Sequence, residues 1–196
     1  MEKPLVGMMN LCGHMANILA AFFSLILVAC NGPLGKPIQI DDLESSGSFS
    51  NILNSKNESP QLVLLVSPTW SVCLEGARRV QSIILDTHPE VDLNVHAVWL
   101  PMLRADKRPQ WNAKKVPING PRVTHYWDGN QVIGKQYGQS FDKPGGVAWD
   151  IFFLYDEGAE MDSLFQPWVS TGRTIMGARD KLKTDFEALI NTSKND

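Results

Sequence analysis

An α/β domain is the fold class that the sequence predicts, and three observations support it. A continuous apolar run, Val63–Val66, has the length of a strand that is covered on both faces. From Val72 the apolar spacing changes to the helical period, with Val80 and Ile84 near one stripe. Further strand-like and helix-like segments follow along the chain. We therefore expect helices packed on a central sheet.

Length, composition and charge fit one globular domain. The chain has 196 residues, 43% of them apolar, and a net charge of −3, so it offers no strongly basic surface to nucleic acid. We predict no nucleic-acid partner and no cofactor. His96 lies inside a predicted strand without a second ligand at metal spacing, which favours a core or edge histidine, and no metal is predicted.

The first thirty residues are predicted to direct export. Asn17–Ala29 is an apolar block of the length found in the core of a signal peptide, and Lys3 supplies a positive charge before it. The block ends in LVAC at residues 27–30, which resembles the bacterial lipobox. That resemblance implies a lipid on Cys30, a membrane as partner, and a place in the cell envelope facing the periplasm or the exterior. An uncleaved signal anchor or an ordinary signal peptide is the alternative.

The segment after Cys30 has the composition of a tether. It is rich in Gly, Pro, Ser and Asn and has little periodicity, although Ile38–Leu43 could add a short strand and Phe49–Leu53 a helical turn. The sequence thus predicts four parts: residues 1–29 as signal peptide, 30–60 as lipidated Cys30 with a flexible tether, 61–190 as the globular domain, and 191–196 as a tail.

The later elements of the domain are predicted from period and turn signals. Asp128-Gly129 lies between two β-rich runs, which is the sequence of a tight antiparallel hairpin. Pro121 opens the first of these runs, where it costs no ladder hydrogen bond. The other predictions are a helix from Val72 to about Asp86–Pro89, strands at Val91–Leu100 and Val147–Tyr155, a short helix at Pro109–Lys115, and a last helix at Gly172–Ile190.

Two stretches resemble the thioredoxin superfamily. Pro121, followed eight residues later by Gly129, is similar to the thioredoxin stretch in which a cis-proline precedes one strand of a hairpin. VSPTWSVCLEGA, residues 66–77, occupies the place of that family's Cys-x-x-Cys motif. The resemblance covers about Gln61–Ile190, apart from an insertion around Phe141–Pro167. It implies a thioredoxin-like three-layer sandwich with a mixed central sheet.

The dithiol of that family is missing. The degenerate motif is WSVC, with Trp70 at the first position and Cys73 at the second; if Trp70 instead matches the tryptophan before the motif, Cys73 lies inside it. The buried acidic residue of thioredoxins, six places before their first cysteine, is replaced by Leu64 or Leu65. A disulfide reductase that resolves mixed disulfides with its own second thiol is therefore excluded.

Three functions from different classes follow. Cys73, in the first turn of a helix, is the candidate catalytic residue for single-thiol redox chemistry on thiol-containing partners. Alternatively, Cys73 is a small buried hydrophobe, and Trp70 and Pro121 line a groove that binds an extended polypeptide without chemistry. A peroxiredoxin-like activity is the third, although Thr69 stands four residues before Cys73 where that family has three.

Overall fold

The computed structural model describes residues 36–140, 145–162 and 165–192. The chain divides into two units, Met1–Lys36 and Pro37–Asp196, and the second of these contains the fold. The predicted signal peptide and Cys30 lie outside the described residues. None of the helices in the described ranges is both long enough and apolar enough to cross a membrane.

A six-stranded mixed sheet forms the centre of the fold. Its strands are β1 (Asp41–Asp42), β2 (Gln61–Val66), β3 (Asn94–Trp99), β4 (Val123–Trp127), β5 (Ile151–Tyr155) and β6 (Ser170–Arg173). Their order is β1-β4-β3-β2-β5-β6. The pairs β1–β4, β4–β3 and β3–β2 are parallel, whereas β5 is antiparallel to β2 and β6 is antiparallel to β5.

Helices cover both faces of this sheet. They are α1 (Ser46–Asn54), α2 (Ser71–Val80), α3 (Val132–Gln139) and α4 (Arg179–Thr192), and a π-helical turn, Gln81–Leu85, continues α2. On one face, α2 and α4 pack on Leu62, Leu64 and Val66 of β2. On the other face, α1 and α3 pack on Val63 and Leu65. The three-layer sandwich with a mixed central sheet is thus confirmed.

Asp128-Gly129 starts a helix and not the predicted hairpin. The Asp128 carboxylate accepts the backbone N–H groups of Val132, Ile133 and Gly134 at 2.7, 3.0 and 3.0 Å. These donors are unpaired at the beginning of any helix, so a carboxylate there ends β4 and starts α3. The antiparallel pairs of the sheet are β2–β5 and β5–β6, and β5 lies within the stretch that was predicted to be an insertion.

Two further helix predictions need correction: the first helix is absent and the second is shorter than predicted. Residues 109–115 form a loop, in which the Asn112 carbonyl accepts the N–H of Lys115 at 3.0 Å. The last helix begins at Arg179 and not at Gly172, and the first two residues of the predicted span, Gly172 and Arg173, pair with β5 as part of β6. Its apolar period is correct, since Leu182, Phe186 and Ile190 are buried.

The predicted tether is shorter than expected. From Pro37 onward the chain belongs to the folded unit, and β1 pairs with β4. Phe49 and Leu53 of α1 are fully buried against the sheet. Some of the polar residues that suggested a tether have structural roles, since the Ser45 hydroxyl caps α1 by accepting the Ser48 N–H and Asn54 Oδ1 accepts the N–H of Met161.

We predict that Asp128→Ala destabilises the domain by about 1–3 kcal/mol, because three helix-start donors, two of them buried, would lose their acceptor. The free energy of unfolding from denaturant titration measures this change. Glu90→Ala, which removes an exposed carboxylate, is the control and should change stability by less than about 0.5 kcal/mol. Equal stability of the two variants would contradict a capping role for Asp128.

Candidate functional site

The junction between β2 and α2 is the centre of the candidate site. β2 is buried along its whole length, and the turn Ser67–Trp70 leads from it directly into α2 at the carboxyl end of the parallel strands. Close packing fixes the path of α2, since a Cβ on Gly76 would lie 3.0 Å from the Cβ of Ile175. A larger residue at position 76 would push the helix away from the segment that follows β6.

A single carboxylate, that of Asp106, holds this turn in place. It accepts hydrogen bonds from the hydroxyls of Ser67 and Thr69 and, at 2.8 Å each, from the backbone N–H groups of Met102 and Leu103. Partial burial by itself would raise the pKa of Asp106, but the bonds from these four groups together lower it. The charged carboxylate therefore ties the β2–α2 turn to the loop after β3.

Cys73 is buried directly beneath the turn and is sealed from solvent. Its relative exposure is 0%, and its thiol donates a hydrogen bond to the carboxylate of Asp150. Asp150 precedes β5 with a left-handed backbone (φ 51°) and also accepts the N–H of Ile175 at 3.2 Å. Burial raises the pKa of Asp150, although these bonds act in the opposite direction.

The same burial decides the protonation state of the thiol. Desolvation raises the pKa of Cys73 to about 12, with the negative charge of Asp150 adding to the rise and a backbone hydrogen bond of Ser67 opposing it. At neutral pH the thiol is therefore protonated. The helix start does not activate this thiol, because burial and a neighbouring carboxylate outweigh the helix dipole.

An aromatic pair, the exposed Trp70 and the half-buried Trp149, covers the same end of the sheet, and we call it the Trp70 patch. Trp70 is 40% exposed, and its ring centroid lies 6.2 Å from that of Trp149 in an edge-to-face arrangement. A shallow depression adjoins Trp70 along α2, and its lining residues are Ser71, Val72, Glu75, Arg78 and Met176. The Trp70 ring is therefore accessible beside a depression of mixed polarity, whereas the Cys73 thiol is not accessible.

Pro121 does not share a groove with Trp70. β4 runs parallel to β3 and β2, so Pro121, two residues before β4, lies at the amino end of the sheet, and Trp70 lies at the carboxyl end. At roughly 3.3 Å per strand residue the two are more than about 15 Å apart. The Gly120–Pro121 peptide bond is trans. The residue directly before β5, the strand that both antiparallel pairs share, is Asp150.

The two histidines of the central strands are structural. His96 bonds Gln61 Oε1 at 3.0 Å and Tyr126 Oη at 3.3 Å, and burial lowers its pKa to about 3, which agrees with the predicted core histidine. His125 accepts the Trp99 indole N–H on Nδ1 at 3.1 Å, and burial lowers its pKa to about 4. Both are neutral at pH 7.

Sequence reasoning missed three residues of this site: Asp106, Trp149 and Asp150. The first lies in a region that reads as a basic surface, and the other two lie in the presumed insertion. Asp106 lacked the usual local signal, because an aspartate in a turn ordinarily bonds the backbone two residues further on, whereas Asp106 accepts the N–H groups of Met102 and Leu103 before it. Asp150 had none, since its partner Cys73 is 77 positions away in the chain, counting from 73 to 150.

Comparisons with known proteins give little beyond the architecture. No protein-family model matches the chain, and no curated protein matches it either. Among solved structures, the chain is similar to one titled as the solution structure of a thioredoxin-like protein in the oxidized form. The identity is 19% and the TM-score 0.43, over 65% of this chain and 76% of that chain.

We predict that Asp106→Ala lowers the free energy of unfolding by about 2–4 kcal/mol, because the buried Ser67 hydroxyl and three partly buried donors would lose their acceptor. Asp42→Ala, which breaks the exposed ion pair with Arg108, is the matched control and should cost less than about 1 kcal/mol.

Acid should remove the same contribution in the unaltered protein. The pKa of Asp106 is lower in the folded than in the unfolded chain, so its stabilisation is present above the ordinary value of about 4 and is lost as the pH falls through the folded value. Asp106→Asn should lose less stability than the wild type over this acid range. A parallel decline of both proteins would contradict the assignment.

We predict that Cys73 reacts with maleimide only after unfolding. In the chain from Asn31 to Asp196, labelling in native buffer should be at least about a hundredfold slower than in denaturant, because the thiol is buried and protonated. Ser71→Cys, which places a thiol on the exposed side of the same helical turn, is the control for access and should label rapidly. Rapid native labelling with an apparent pKa below about 8.5 would contradict burial.

Proposed function

We propose that this chain is an exported, lipid-anchored, thioredoxin-like binding protein that captures a polypeptide partner through the Trp70 patch without thiol chemistry. One observation carries the proposal: Trp70 is exposed at the strand–helix junction while Cys73 beneath it is fully buried. A partner could therefore contact the Trp70 ring but could not reach the Cys73 sulfur.

The Trp70 patch has the properties of a contact centre. Tryptophan supplies a large apolar area with few rotatable bonds and is enriched among residues that dominate binding energy. The turn that carries Trp70 is fixed by Asp106, so little conformational entropy would be lost when a partner binds. The adjoining depression contains both Glu75 and Arg78, which can satisfy polar groups at the rim of an interface.

Export and lipid anchoring rest on the sequence. The apolar block Asn17–Ala29 and the lipobox-like residues before Cys30 support a lipid on Cys30 in a bacterial envelope. Such an anchor would hold the domain at a membrane, facing the periplasm or the exterior. A tether from Cys30 to Pro37, where the folded unit begins, would keep the Trp70 patch within reach of envelope polypeptides.

Single-thiol redox chemistry through Cys73 is the second candidate, and the Asp150 contact is the observation that favours it. A carboxylate hydrogen-bonded to a thiol can accept its proton if the turn above opens. The closed arrangement disfavours this function, because neither access nor a low pKa is provided. The maleimide experiment separates the two candidates.

We predict that Trp70→Ala weakens capture of an unfolded polypeptide at least about tenfold, since it removes the central aromatic contact. The probe is reduced, carboxymethylated α-lactalbumin, and binding to the immobilised full chain in detergent is measured by biolayer interferometry. Cys73→Ser should bind as the wild type does. Ile52→Ala on α1 is the control for a half-buried apolar residue elsewhere. Capture that survives Trp70→Ala, or that fails in a folded Cys73→Ser variant, would contradict the proposal.

A further inference from the structure

β6 is an edge strand of the central sheet. β5 pairs with one side of it, and among the described residues no strand pairs with the other side. Val169, immediately before β6, is 54% exposed. Unpaired backbone groups on a sheet edge are a template for another strand.

An apolar pocket lies beside this edge, and we call it the edge pocket. Its volume is about 300 Å³, and most of the described residues that line it are Val147, Ala148, Ile151, Thr171, Gly172 and Arg173. A cavity of this size holds a large aliphatic or aromatic side chain. β6 itself forms one wall, so a strand added to β6 would pass along the mouth of the edge pocket.

The register of β6 determines which side chains would enter. Thr171 and Arg173 stand opposite Phe153 and Ile151, and directly paired residues project to the same face of the sheet. Phe153 and Ile151 belong to the cluster packed by α1 and α3, and the edge pocket opens on that face. Every second side chain of an added strand would therefore point toward the edge pocket or its rim.

Arg173 gives this edge a charge. Arg173 is exposed, and its guanidinium forms no ion pair within 4.0 Å with any of the described residues. Its charge acts on Asp150, but that carboxyl is buried and hydrogen-bonded to Cys73 and Ile175. A guanidinium at the rim of an apolar pocket can bind a carboxylate through two hydrogen bonds.

We propose that β6 accepts an extended polypeptide segment as a seventh strand, with an apolar side chain in the edge pocket and a carboxylate two residues away on Arg173. Main-chain hydrogen bonds would supply affinity, and the apolar–x–acidic spacing would supply specificity. This surface goes beyond the proposed function, because it involves neither Trp70 nor the thiol. It would also select partners that carry the apolar–x–acidic spacing.

A library of random heptapeptides displayed on phage tests this proposal against the full chain in detergent. We expect enrichment of an apolar residue followed two positions later by Asp or Glu. The consensus peptide, synthesised with a fluorescein label, should bind Arg173→Glu at least about tenfold more weakly than wild type by fluorescence anisotropy. The same peptide with Lys in place of its acidic residue should recover binding to Arg173→Glu.

Hydrogen exchange and a second variant locate the contact. Bound peptide should slow amide exchange in Ser170–Arg173, and Trp70→Ala should change its dissociation constant less than twofold. An unchanged thermal midpoint shows that Arg173→Glu is folded. Peptides without the apolar–x–acidic pattern, no enriched peptide, or binding indifferent to Arg173→Glu would each overturn the proposal. If the enriched peptides lose binding in Trp70→Ala but not in Arg173→Glu, the β6 proposal is wrong, whereas the proposed function at the Trp70 patch is not contradicted.

Discussion

The carboxylate of Asp106 is the interaction on which the arrangement of the site depends. It accepts two hydroxyl and two backbone N–H donors and so joins the β2–α2 turn to the loop after β3. Ser67, once fixed, accepts the N–H of Trp70 at 3.2 Å. The exposure of Trp70 and the burial of Cys73 both follow from this one turn, because it sets where α2 begins and which way its first residues face.

The buried pair of Cys73 and Asp150 explains why a thiol at a helix start need not be reactive. A helix dipole favours a thiolate when the sulfur reaches solvent, but the first turn of α2 directs this sulfur into the core. There, desolvation and the neighbouring carboxylate both favour the protonated form. Cys73 therefore behaves as a small apolar side chain with one weak donor, which Asp150 satisfies.

The two proposed contact surfaces would bind through different interactions, and they lie on different parts of the sheet. The Trp70 patch sits over the carboxyl ends of the parallel strands and offers apolar area from a rigid turn. The edge pocket lies beside β6 and combines unpaired backbone, a side-chain pocket and the charge of Arg173. Under the two proposals both surfaces would bind polypeptide, one through an aromatic side chain and the other through unpaired backbone and a side-chain pocket.

The sequence by itself determined the elements whose signal is local. β2, the start of α2 and the buried stripe of α4 followed from apolar period, because a side chain that faces the core must recur with the geometry of its own element. Only the tertiary structure decided what Asp128-Gly129 does, where Pro121 lies and that Asp150 meets Cys73. These depend on pairing between distant segments: the same Asp-Gly can turn a hairpin or cap a helix, and no local period reports which strand the next segment will join.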